Sequence, residues 1–104
     1  MKTILTTTAF ALMASTALAD TITLYTSQPN ADAQQTVDAF KAANPDTDVE
    51  WVRDGTTKLM ARLRAEIEAG NPQPDVLLIA DTVTLEGMAQ DGLLTAYQSP
   101  EAAN

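Results

Sequence analysis

Residues 48–79, DVEWVRDGTTKLMARLRAEIEAGNPQPDVLLI, decide the fold. Asp48 to Arg53 alternates polar and apolar side chains, with Val49 and Trp51 on one face, which is the period of a strand. Asp54-Gly55-Thr56 is a turn, and Thr56 or Thr57 is the expected N-cap of the helix that follows. Leu59, Leu63 and Ile67 recur at i, i+4 and i+8 with Met60 beside them, so residues 57–69 form an amphipathic helix. Gly70 stops it at the C′ position, where a left-handed backbone is needed. Asn71-Pro72-Gln73-Pro74 is a stiff connector. Val76-Leu77-Leu78-Ile79 is then a continuous apolar run, as suits a parallel strand covered on both faces. The unit is strand–helix–strand, and the length of its crossover fits a right-handed parallel connection.

The pattern repeats on either side. Upstream, Thr21-Ile22-Thr23-Leu24-Tyr25 is a β-branched strand, and Thr26 to Asn30 is a polar loop containing Pro29. A helix over 31–43 follows, with Ala33, Val37 and Phe40 on its apolar face. Asn30 or Asp32 is its expected N-cap, with Asp32 and Gln35 spaced as a capping box. Asn44-Pro45 ends it. Downstream, Asp81-Thr82 opens a third helix with Leu85, Met88 and Ala89 inward. Gly92 ends that helix, and Leu93-Leu94 returns to the core. The order β-α-β-α-β-α predicts an α/β fold, a three-layer open parallel sheet.

Composition bounds the function. The chain has 104 residues, no Cys and no His, and a formal net charge of −8. Disulfide scaffolds, Cys-based zinc sites, redox dithiols and Ser-His-Asp triads are thereby excluded. The acidic balance argues against nucleic acid as a partner, since that affinity comes from clustered Lys and Arg. Residues 1–19, MKTILTTTAFALMASTALA, read as a cleaved signal peptide. Lys2 is the basic start, Ile4 to Leu18 the apolar stretch, and Ala17-Leu18-Ala19 the cleavage site. The mature chain would be residues 20–104, exported by the general secretory route. A chain of that size without disulfides or metal is marginal alone, and three strands leave a sheet edge open.

In open α/β sheets ligands bind at the carboxyl ends of the strands, beside helix N-termini. Three such ends are available, at Ser27-Gln28, Thr56-Thr57 and Asp81-Thr82. Hydroxyls beside free backbone N–H groups suit an anionic group. Ordinary helix capping would account for the same residues. Asp81 would repel an anion, and could pair with a substrate ammonium or help hold a cation. Trp51 and Tyr25 read as core, and Lys58, Arg62, Arg64, Glu66 and Glu68 as a solvated helix face. The nucleotide-binding glycine motifs GxxxxGK and GxGxxG and the GxSxG elbow are absent. A small secreted flavodoxin-like enzyme is the alternative from another class, although the Thr26–Asn30 loop lacks the Gly that wraps a phosphate.

From Asp20 to Tyr97 the chain resembles the start of a bacterial extracellular solute-binding protein of an ABC importer. The segments that carry this are ITLYTS, VDAFKAANPDTDVEWVRDGTTKLMARLRAEIEAGNPQPDVLLIAD, TVTLEGMAQDGLL and Ala96-Tyr97. The nearest group is the iron(III)-type branch of family 1. The resemblance implies a two-lobed, non-enzymatic protein of type II architecture that closes about a hinge and docks on an inner-membrane permease, monomeric when full length. Residues 20–104 would then be the N-terminal part of the first lobe, without the second. Ser27, Gln28, Thr56, Thr57, Asp81 and Thr82 would contact the solute, with no cofactor and no metal among the site's components. Iron-binding members often carry His or Tyr where this chain has Gln28-Pro29-Asn30, and some carry Glu where it has Ala80. The cargo expected is therefore a small anionic or zwitterionic solute, with ferric iron as the alternative.

Overall fold

The computed structural model describes residues 20–103; the signal peptide expected over residues 1–19 lies outside the described residues. The elements run β1 (Asp20–Thr26), α1 (Asn30–Ala43), β2 (Thr47–Arg53), α2 (Thr56–Glu68), β3 (Val76–Leu78) and α3 (Thr82–Gln90), then a short 3-10 helix, Pro100–Ala103. The three strands form one parallel sheet in the order β2-β1-β3. Leu24 stands between Trp51 and Val76, and Tyr25 between Val52 and Leu77. The first strand in sequence is thus the central one.

This order fixes where the helices go. The crossover from β1 to β2 lays α1 on the face that carries Ile22, Leu24 and Val49. The crossover from β2 to β3 must pass β1, and right-handedness puts α2 on the opposite face. There Tyr25, Leu59 and Leu63 are almost fully buried. Met60, Leu63 and Met88 of α3 pack with Ile67, Leu77 and Ile79. Three layers result, as the sequence pattern requires.

Both glycine stops behave as their positions demand. Gly70 and Gly92 each adopt φ 73°, one residue past the C-caps Ala69 and Asp91. Asn44 closes α1 by donating its backbone N–H and side-chain amide to the Phe40 carbonyl.

Several expectations are corrected. The cap position of α1 is Pro29, with no side-chain bond, so neither Asn30 nor Asp32 caps it and the Asp32–Gln35 box does not form. Pro29 enters at φ −54°, ψ 149°, and its carbonyl accepts from Ala33 N–H at 2.9 Å, which sets the first turn without a side chain. At α2 the cap position is Gly55, so Thr56 and Thr57 lie inside the first turn. Strand β3 is covered on one face only, and Val76 and Leu78 remain 47% and 40% exposed. Ala89 faces outward, and Leu93 and Leu94 are also exposed rather than returned to the core. Trp51, on the outer strand β2, is half-buried.

Arg62 and Glu66 do not belong to a purely solvated face. The buried Tyr25 hydroxyl donates to Glu66 Oε1 at 2.6 Å, and Arg62 Nε donates to the same oxygen at 3.0 Å. Glu66 Oε2 accepts from Gln73 N–H, and the Arg62 guanidinium sits 5.2 Å from the centre of the Tyr25 ring. Sequence periodicity places Glu66 at the margin of the helix stripe. Only the tertiary fold brings a phenol to it.

Candidate ligand-binding edge

The loops at the carboxyl ends of β1, β2 and β3 start the three helices. Strands β1 and β3 are neighbours, yet their helices leave to opposite faces, so the chain parts between them. Crevices of this kind receive ligands in open α/β sheets. Here the two loops are stitched across the gap. Ser27 N–H donates to the Leu78 carbonyl at 3.0 Å, and Ala80 N–H donates to Ser27 Oγ at 3.2 Å.

Gln28 is anchored through its backbone. Its N–H donates to Thr26 Oγ1 at 3.1 Å, and its carbonyl accepts from Arg53 Nε at 2.8 Å. Thr26 is fully buried and holds that turn from below. Ser27, Gln28 and Pro29 share a shallow depression with Leu78, Ile79 and Ala80.

The other expected residues divide. Thr56, Thr57 and Asp81 line a second depression of about 240 Å³, together with Met60, Ala61, Arg64 and Thr84. Thr82, the first residue of α3, is exposed and lines neither depression. The six predicted residues therefore form two groups rather than one cluster.

Asp81 is the one predicted residue with an observed capping bond. Its Oδ1 accepts from Thr84 N–H at 3.3 Å, and its Oδ2 accepts from the Thr84 hydroxyl. The hydroxyl first, then the N–H, hold the Asp81 carboxyl below the ordinary carboxylate range, against a smaller opposing effect of burial. Asp81 is thus a carboxylate at neutral pH. Helix α2 differs, because no side chain accepts from its first-turn N–H groups.

The sequence places Arg64 in a solvated helix face and gives no site role to Thr84, yet both line this depression. Thr57, Met60, Ala61 and Arg64 recur at helical spacing, and that periodicity would have placed Arg64 on the same side of α2 as Thr57. Thr84, three residues after Asp81, occupies the position whose N–H a capping carboxylate engages. Among the described residues, no group of three or more acidic side chains is arranged to hold a metal ion.

Comparison with curated proteins and with solved structures finds no match to this chain. The family model described as bacterial extracellular solute-binding protein matches residues 25–103. That span starts within the central strand, takes in all three loops at the carboxyl edge of the sheet, and runs through the last described helix. With the match extending over most of its length, on a parallel α/β layer of this kind, the chain belongs to the bacterial extracellular solute-binding protein family.

Proposed function

We propose that this chain supplies part of the first lobe of a periplasmic substrate-binding protein, which captures a small anionic or zwitterionic solute and delivers it to an ABC permease. The observation that carries this reading is the carboxyl edge of the sheet. Two depressions open there beside helix starts, one across the stitched Ser27–Ala80 loops and one between Thr56-Thr57 and Asp81. Uncapped first-turn N–H groups and threonine hydroxyls supply donors for an anionic group without a reactive centre. Affinity arises from fixed donors and lobe closure, and no bond of the solute is broken.

The test is calorimetric titration of the natural full-length protein with organic anions, amino acids and ferric iron. Saturable binding of an organic anion or amino acid, weakened by Thr57→Val, supports the reading. Exclusive binding of iron, with visible tyrosinate-to-iron absorbance, assigns the metal as cargo instead. Binding of none of them overturns it.

A further inference from the structure

Two residues of opposite charge line one depression. Helix α2 contributes Thr56, Thr57 and Arg64, and the start of α3 contributes Asp81 and Thr84. Arg64 and Asp81 form no ion pair with each other; the ion pairs among the described residues are Lys41–Asp48 and Arg62–Glu66. Opposite charges that share a hollow of about 240 Å³ without touching can be bridged by a molecule that carries both signs.

The surroundings of each charge agree with that division. On the α2 side, the first turn has no side-chain acceptor, so its N–H donors and the helix dipole favour a carboxylate, and Arg64, about two turns further along the helix, adds a cationic residue to the same lining. On the α3 side, both Asp81 oxygens are engaged by Thr84, yet an ionised carboxylate accepts about four hydrogen bonds. Lone pairs remain for an ammonium. A pure anion would satisfy Arg64 and be repelled by Asp81, and a pure cation would meet the reverse.

We infer that this depression binds the zwitterionic head of a small α-amino acid, with its carboxylate toward Arg64 and the first turn of α2 and its ammonium toward Asp81. The inference rests on the solute-binding reading and narrows its substrate class. Arg64 and Asp81 become the pair that sets specificity.

The experiment titrates the natural full-length protein with the standard L-amino acids. For each binder, the des-amino acid and the decarboxylated amine follow. The expected result is binding of at least one amino acid, with both analogues weaker by about tenfold or more. Arg64→Gln weakens the amino acid by a similar factor at unchanged melting temperature. Asp81→Asn keeps a capping side chain, weakens the amino acid, and narrows the gap to the des-amino acid. Equal binding of amino acid and des-amino acid, or no effect of Arg64→Gln, overturns the zwitterion site and leaves solute binding standing. If no amino acid binds but an organic anion does, the inference fails alone. If neither class binds, both fail.

Discussion

The two faces of the sheet are built from similar residues and finished differently. On the α2 face, Tyr25, Leu59 and Leu63 are 1%, 2% and 2% exposed, and Met88 of α3 completes the cover. On the α1 face, Val37 is buried, but Phe40, Val76 and Leu78 are 38%, 47% and 40% exposed. Together with Ile22, Leu24 and Val49 they line an almost wholly apolar groove of about 210 Å³. Helix α1 joins β1 to β2 and lies over them, whereas α2 passes the central strand on its way to β3. Strand β3 thus gains cover on one side alone. Hydrophobicity of a strand does not decide its burial; the path of the crossovers does.

The comparison breaks most visibly in the core. Leu59→Ala on the closed face should cost about 3 kcal/mol, the usual range for a buried leucine. Val76→Ser in the open groove should cost less than about 1 kcal/mol. Denaturant unfolding of both variants measures the contrast. Equal losses would mean that the groove is filled in solution.

Tyr25→Phe sharpens the same contrast from the polar side. The phenol's hydrogen bond to the Glu66 carboxylate is lost, at about 2 kcal/mol. The pH dependence should change with it. Burial alone would raise the Glu66 pKa, but Tyr25, Gln73 N–H and Arg62 outweigh it and hold it below its ordinary 4.5. A carboxyl depressed in the folded state stabilises above its unfolded pKa and loses that contribution as pH falls through the folded value. Wild-type stability should therefore drop below about pH 4.5 through this group, and Tyr25→Phe should flatten that part of the profile. An unchanged acid slope would remove Glu66 from the account.

What the sequence made legible follows from local chemistry. Strand and helix periods, the two glycine stops and the Asn44-Pro45 boundary each depend on a few neighbouring residues, and each is observed. What it concealed depends on distant partners. Thr56 and Thr57 looked like caps, yet Gly55 takes the cap position, and its carbonyl accepts the first helical bond from Leu59 N–H. Glu66 looked solvated because Tyr25 is 41 residues away. Val76 and Leu78 looked doubly covered because an apolar run does not record which of its faces a helix will reach. In the candidate site, Asp81 was legible as a helix start, whereas Arg64 was hidden among the other basic residues of α2.

The strand order also dictates a sequence of events. Strand β1 is made first and sits in the middle, so its second edge waits for partners 52 residues further along the chain. Until β3 emerges, Ser27 N–H has no Leu78 carbonyl to meet and Ser27 Oγ no Ala80 N–H. Such long-range pairing is slow to nucleate. The edge that would receive a solute is therefore assembled late, after both helix crossovers have been laid down, and a growing chain shorter than 80 residues cannot display it.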